Sequence, residues 1–129
     1  MTVAYWCIFI AAILPYVWIT IGKGAGERYD NRDPRGWAAK QANPRVQRGV
    51  SAQLNAFEAF APFAAAVLMA QAAGTDPARI SLLAMIFVGC RVLHGIFYLT
   101  NAHLLRSLMW FGGFGCMVAL MAEAALRIA

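Results

Sequence analysis

Four long apolar segments occupy most of the sequence, and they limit the possible folds more than any other feature. They cover roughly residues 3–22, 46–73, 78–100 and 104–128. A bilayer core needs about 20 mainly apolar residues per helix, so each segment is long enough to cross a membrane. Because 61% of the 129 residues are hydrophobic, little sequence is left for a soluble domain. We predict an all-α, multi-pass integral membrane protein in which residues 1–129 form one transmembrane domain, a four-helix bundle.

The charged residues predict the orientation of this bundle. The connection between the second and third segments contains only Asp76 and Arg79 beside its turn. Cytoplasmic loops are enriched in lysine and arginine, so we expect the first and third loops to be cytoplasmic and both termini to lie on the other side. The first segment is too long for a signal-peptide core and should be retained. Basic residues placed beside membrane segments do not indicate a nucleic-acid partner. Seven of them lie in or beside the first loop: Lys23, Arg28, Arg32, Arg35, Lys40, Arg45 and Arg48.

Proline residues mark the expected helix boundaries. Each of the pairs Asp33-Pro34, Asn43-Pro44 and Asp76-Pro77 places a capping side chain before a residue suited to the first helical turn. The second and third long helices should therefore begin near Pro44 and Pro77, with one short helical turn in the first loop. Pro15 and Pro62 fall inside apolar segments, where each is either an accommodated proline or a kink that opens a crevice.

The three cysteines, Cys7, Cys90 and Cys116, all lie in apolar segments. Their odd number and wide spacing predict neither a disulfide framework nor a metal site. We expect them to be packing residues.

Polar side chains form stripes within two of the apolar segments. In the second, Arg48 and Asn55 are seven residues apart and share a helix face, flanked by Ser51, Glu58 and Pro62. In the third, Arg91, His94 and Tyr98 follow an i, i+3, i+7 spacing. An ionised side chain in a membrane costs at least about 2.5 kcal/mol, so these stripes should face the bundle interior or a wet cavity. The aromatic residues of the fourth segment are expected to face lipid or a neighbouring subunit.

Two interpretations of the stripes remain open. In the first, Glu58 and Arg91 form a buried ion pair that fixes the register of two antiparallel helices. In the second, the stripes line a pocket for a small anionic, peptide-like ligand, and an apolar second substrate arrives from the membrane. The groups available for such a pocket, beyond Glu58 and Asn55, are Arg48, His94, Tyr98, Arg106 and Ser107.

Two stretches resemble the MAPEG family, the membrane-associated proteins in eicosanoid and glutathione metabolism. "RVQRGVSAQLNAFEAFAPF" is similar to the family pattern through Ala52, Asn55, Glu58 and Pro62. "CRVLHGIFYL" followed by "LLRS" is similar to the microsomal prostaglandin E synthase branch. The residues in matching positions of that branch are Arg91, His94, Tyr98, Arg106 and Ser107. The resemblance covers essentially the whole chain, and the first loop resembles bacterial members, which implies a bacterial inner membrane.

The resemblance implies a homotrimer that binds glutathione as co-substrate at subunit interfaces near the cytoplasmic side. Asn55 and Glu58 would hold the glutathione backbone, and Gln53 would reach it from the neighbouring subunit. Arg106 would stabilise the thiolate beside Ser107. The remaining binding candidates are Tyr98, Arg91, His94 and Arg48. Many glutathione-binding members have an arginine where this chain has Ser51, and Arg48, about one turn earlier, is the candidate to replace it.

Three functions follow as hypotheses. The first is a glutathione transferase or peroxidase that acts on lipophilic electrophiles or lipid hydroperoxides. The second is a non-catalytic MAPEG-like protein that binds lipid or a membrane partner. The third is a structural subunit of a larger membrane complex, with the Glu58–Arg91 pair acting only on helix register.

Overall fold

Five helices make up the chain. The structure, a computed structural model, describes all 129 residues. The helices are α1 (Thr2–Gly24), α2 (Pro34–Lys40), α3 (Pro44–Ala72), α4 (Pro77–Leu99) and α5 (His103–Ile128). All but α2 are long and apolar enough to cross a membrane. The prediction of an all-α membrane bundle with four spans is confirmed.

Three of the helices begin at the predicted Asx-Pro pairs. The side chains of Asp33, Asn43 and Asp76 accept hydrogen bonds from backbone N–H groups in the first turns of α2, α3 and α4. Each proline stands where a helical N–H has no partner within the helix, so its missing donor costs nothing. Helices α1 and α3 continue through Pro15 and Pro62.

The long helices run antiparallel in chain order, which gives the bundle two distinct ends. The basic end contains the connection between α1 and α3 and the turn between α4 and α5. The opposite end contains both termini and the turn between α3 and α4. Helices α3 and α4 each pack against the three other long helices. Helices α1 and α3 approach each other closely at Gly22 and Gly49, where a Cβ added to Gly49 would lie 2.6 Å from the Gly22 Cα.

The connection at the basic end is an ordered cap over the ends of α1 and α3. The Trp37 indole N–H donates to the Arg28 carbonyl at 3.0 Å, and the Asn43 side chain donates to the Ala25 carbonyl at 2.7 Å. These bonds anchor a segment of 19 residues, from 25 to 43, against the bundle. The basic side chains of the first loop are therefore held close to the helix ends.

The apolar core is divided unequally between the two ends. Twelve buried residues form one cluster towards the opposite end. Phe63 and Phe87 stack within it, with ring centroids 3.8 Å apart. The half nearer the basic end has a cluster of only four: Leu14, Trp18, Ala52 and Ala56. The polar stripes lie in this half, in the part of the interior that the apolar core does not fill.

Candidate functional site

A tight turn at the basic end places the start of α5 beside the end of α4. Asn101 adopts a left-handed conformation with φ of 60°, which asparagine tolerates better than most residues. The turn brings the Arg106 guanidinium over the Tyr98 ring, with the Cζ atom 4.5 Å from the ring centroid. His94 contacts the same tyrosine edge to face, with centroids 5.6 Å apart. Three residues from two helices thus form one connected group.

This group lines a cavity that we name the outer cavity. It has a volume of about 220 Å³ and lies near the basic end. Its lining combines a guanidinium, an imidazole, an amide and two hydroxyl groups with two aromatic rings. The seven lining residues are Asn55, His94, Tyr98, Arg106, Ser107, Trp110 and Phe111.

A second cavity, which we name the deep cavity, lies next to the outer cavity and farther from the basic end. It has a volume of about 170 Å³. Asn55 and Trp110 line both cavities, so the two spaces share a wall. More than half of the deep lining is apolar. The nine lining residues are Asn55, Glu58, Ala59, Pro62, Phe87, Arg91, Trp110, Phe114 and Met117.

Arg91 is paired with Asn55 and not with Glu58. Its Nη2 donates to the Asn55 Oδ1 at 2.8 Å, and no ion pair joins it to Glu58. The Glu58–Arg91 ion pair, which was the first of the two interpretations of the stripes, is therefore wrong. Arg91 lies eight residues before the end of α4, whereas Asn55 and Glu58 lie eleven and fourteen residues after the start of α3. At about 1.5 Å per residue, Arg91 is roughly 12 Å deep, nearer to Asn55 at roughly 16 Å than to Glu58 at roughly 21 Å.

Glu58 has no partner within the chain. It is exposed near the middle of α3 and makes no side-chain hydrogen bond or ion pair. A carboxylate at membrane depth is costly unless a cation, a donor or water accompanies it. A ligand in the deep cavity, water or a neighbouring copy must therefore meet this side chain.

Seven of the nine predicted site residues line one of the two cavities. They are Asn55, Glu58, Arg91, His94, Tyr98, Arg106 and Ser107. Arg48 does not line them, and its Nη1 instead lies 3.4 Å from the Leu99 carbonyl at the end of α4. Gln53 lies on another face of α3, in a third cavity lined also by Lys23 and Arg35. Within one chain these two residues are separate from the rest.

Trp110 and Phe114 belong to the site although the sequence argument expected the aromatic residues of α5 to face lipid or another subunit. Their rings stack with centroids 4.9 Å apart, and both line the deep cavity. The signal was present in the spacing, because Arg106, Trp110 and Phe114 follow each other at intervals of four and share a helix face. Phe114 is also 45% exposed, so its place in the cavity wall does not contradict the expectation that it faces lipid or a neighbouring subunit.

The two cavities differ in what they can bind. The outer cavity can hold an anionic or strongly polar group beside the Arg106 guanidinium, with the Tyr98 and Ser107 hydroxyls as further hydrogen-bonding groups. The deep cavity can hold an apolar group against Trp110 and Phe114. A polar and an apolar reactant bound together would therefore meet beside Asn55 and Trp110.

Four spanning helices around a pair of adjoining cavities define a polytopic membrane protein with a candidate ligand site. The model of the MAPEG family matches residues 3–126. The chain belongs to the MAPEG family, as the resemblance predicted. No curated protein and no solved structure matches it.

Proposed function

We propose that this protein is a glutathione-dependent transferase or peroxidase that acts on lipophilic electrophiles or lipid hydroperoxides. The observation that supports this function is the pair of adjoining cavities, one polar and cationic, the other mainly apolar, which share Asn55 and Trp110. A reaction between a water-soluble thiol and a membrane-soluble molecule needs such a junction. Family membership adds to the proposal, because glutathione is the co-substrate that the MAPEG resemblance implies.

Arg106 is the residue we assign to the glutathione thiol. Only the thiolate is nucleophilic, and a nearby guanidinium favours the thiolate over the neutral thiol. Arg106 lines the outer cavity and is held over the Tyr98 ring, which limits the motion of its long side chain. Ser107 and Tyr98 line the same cavity, and their hydroxyls would donate hydrogen bonds to the same sulfur or to a peptide carboxylate. Asn55 and Glu58 would bind the glutathione backbone, with Glu58 accepting from the amine.

The proposed transfer step is a substitution at carbon. The thiolate sulfur forms a bond to the electrophilic carbon, and the bond from that carbon to the leaving group breaks. The leaving group departs as an anion with the electron pair, and the thiol proton passes to water in the outer cavity. In the peroxidase reaction, two glutathione molecules supply two electrons. The hydroperoxide becomes an alcohol, one water forms, and the two sulfurs join in a disulfide.

The unpartnered Glu58 and the remote Gln53 fit a homotrimer. Gln53 lies on another face of α3 from Asn55, so it can reach a ligand only in a neighbouring copy. Lys23 and Arg35 line the same third cavity, and they would add positive charge to a site between subunits. The basic end would face the cytoplasm, where the lysine and arginine residues of the first loop belong by the positive-inside rule.

The test compares Arg106→Ala with Arg45→Ala in the detergent-solubilised protein. Arg45 is an exposed arginine in the first turn of α3, outside both cavities. We expect millimolar glutathione to raise the melting temperature of the wild type and of Arg45→Ala, because a ligand that binds only the folded state stabilises it. Thiolate ultraviolet absorbance should appear with both, and Arg106→Ala should lose this absorbance and about 100-fold in conjugation rate. Full conjugating activity in Arg106→Ala would contradict the assignment.

A non-catalytic lipid- or partner-binding role is the second candidate, and one observation favours it. Ser51 stands where many glutathione-binding members have an arginine, and Arg48 is turned towards the Leu99 carbonyl, away from both cavities. One cation that the family uses for the ligand is thus missing from the site. A wild-type protein whose melting temperature does not change with millimolar glutathione would favour this second function.

A further inference from the structure

Arg91 is enclosed within the bundle, and its one hydrogen-bond partner in the chain is Asn55. Only 4% of Arg91 is exposed. A Cβ added to Gly113 of α5 would lie 3.6 Å from the Arg91 Cδ, so α5 packs against the aliphatic part of this side chain. The Nη2 donates to the Asn55 Oδ1 at 2.8 Å. The amide of Asn55 on α3 thus meets a side chain that α4 carries and α5 flanks.

The chemistry of this contact fixes the orientation of the Asn55 amide. An amide side chain has an oxygen that accepts and an NH2 group that donates, and a half turn exchanges their places. Arginine has N–H donors and no acceptor, so only the amide oxygen can face Arg91 favourably. The reverse orientation would set donor against donor and leave both unsatisfied in a buried contact. The NH2 group of Asn55 is therefore directed away from Arg91.

This NH2 group is open to the cavities. The Asn55 Nδ2 donates to no atom of the chain. It is nevertheless not sealed within the protein, because the one enclosed side-chain polar atom without a partner is the Thr75 Oγ1 at the opposite end. Asn55 lines both the outer and the deep cavity. A ligand that binds at this position therefore meets N–H donors, and it must offer an acceptor such as a carboxylate or carbonyl oxygen.

We infer that Arg91 is a positioning residue for glutathione: it holds the Asn55 amide so that the NH2 group donates to a carboxylate or carbonyl oxygen of the ligand. The inference rests on the proposed glutathione function, and glutathione contains both kinds of oxygen. Without Arg91, the same amide orientation would leave the Asn55 Oδ1 facing the interior with no donor. Ligand binding would then carry the cost of an unsatisfied buried acceptor.

Glutathione dissociation constants, measured by calorimetry in detergent, test whether Arg91 acts through Asn55. Arg91→Met should weaken binding roughly tenfold. Arg91→Lys should stay within about threefold of the wild type, because an ammonium group also donates without accepting. The decisive comparison uses Asn55→Leu as the background. Once the amide is absent, adding Arg91→Met should cause no further loss of affinity.

Side-chain NMR reads the orientation of the amide directly and does not depend on the folding of Asn55→Leu. The chain has four asparagines, so isotope-labelled asparagine gives four side-chain NH2 signals. The Asn55 signal is the one missing from Asn55→Asp, in which a carboxylate still accepts from Arg91. In the wild type this signal should shift on saturation with glutathione, and in Arg91→Met it should shift less. An Asn55 signal that glutathione does not move in the wild type would overturn the inference.

Arg127→Met is the matched control. Arg127 also donates a hydrogen bond to another part of the chain, from its Nη1 to the Gly74 carbonyl at 3.2 Å, but it lines neither cavity. This variant should keep the wild-type affinity for glutathione. Wild-type affinity in Arg91→Met, or an equal loss with and without the Asn55 amide, would overturn the positioning role and leave the proposed function intact. Failure of the wild type to bind glutathione would overturn the proposed function, and this inference with it.

Discussion

The interior of the bundle is packed differently in its two halves. Towards the opposite end, twelve buried residues form one apolar cluster in which alanines alternate with Phe63, Ile80 and Leu120. Towards the basic end, only four residues form such a cluster, and an arginine, a histidine and two cavities occupy the remaining interior. The first half is apolar and closely packed, whereas the second half contains buried polar side chains and the two cavities.

This difference places the closely packed apolar core and the candidate site at different depths along the membrane normal. Helices in a membrane associate chiefly through close van der Waals packing and hydrogen bonds between them. The half nearer the opposite end supplies the packing. It can therefore hold the helices in place while the other half maintains buried polar groups that cost free energy.

The largest expected effect is at the polar contact between α3 and α4. Asn55→Leu removes the acceptor of the Arg91 Nη2–H and leaves a buried guanidinium unpaired. We expect a loss of about 3 kcal/mol in the free energy of unfolding. Adding Arg91→Met should restore most of it, because an apolar side chain of similar length replaces the charge. The measurement is denaturant unfolding in detergent of both single variants and the double variant. If the two losses simply add, the residues are not coupled and the polar half is not organised around this bond.

A smaller effect is expected in the packed half, and it should leave ligand binding unchanged. Leu120→Ala removes a fully buried side chain from the apolar cluster. The expected loss is about 2 kcal/mol, at the low end for buried leucines, since lipid or detergent also solvates the side chain when helices separate. Leu126→Ala, at an exposed position of the same helix, is the matched control and should have little effect. Weaker glutathione binding by folded Leu120→Ala at low temperature would show that the two halves are not separable.

Hydropathy and the Asx-Pro pairs were sufficient to predict the fold. Segment length and capping chemistry are local properties, so the starts of α3 and α4 at Pro44 and Pro77 could be derived from a few neighbouring residues. Five of the seven candidate residues that line the cavities were predicted from helical spacing, which places Asn55 and Glu58 on one stripe and Arg91, His94 and Tyr98 on another. Arg106 and Ser107 came from their place beside the turn and from the family resemblance.

The partners within the site could not be derived in the same way. The Asn55–Arg91 bond depends on the relative depth of two helices, and a shift of one turn separates it from the predicted Glu58–Arg91 pair. The position of Trp110 depends on the turn at Asn101, which sets the rotation of α5 relative to α4. Depth and rotation are set by contacts between helices, which no single segment of the sequence specifies. Whether Arg48 and Gln53 act on a ligand depends further on contacts between copies of the chain.

The smallest effects concern one ion pair at each end. Arg79 and Glu123 join α4 to α5 near the opposite end, with 2.7 Å between the Arg79 Nε and the Glu123 Oε1. Asp30 and Arg32 form a local pair in the first loop, with two side-chain hydrogen bonds of 2.9 Å. The first pair links two helices and is partly shielded, whereas the second links neighbours in solvent. Glu123→Gln should therefore lower the free energy of unfolding by up to about 1 kcal/mol, and Asp30→Asn should lower it by less. Denaturant unfolding of both variants in detergent measures the two effects.

The contribution of the Asp30–Arg32 pair to the stability of the fold should depend on pH, and this dependence tests it more sharply. The Arg32 side chain donates hydrogen bonds to Asp30 and holds the pKa of that carboxyl below its ordinary value. A lowered pKa in the folded state stabilises the fold above the ordinary aspartate pKa of about 3.9, and this contribution is lost as the pH falls through the lowered value. Any difference in melting temperature between the wild type and Asp30→Asn should thus be constant near neutral pH and disappear only below about pH 4. A difference that already changes between pH 5 and 7 would require another titrating group at the basic end. In that case the first loop would contribute more to the free energy of unfolding than a single solvent-exposed ion pair can.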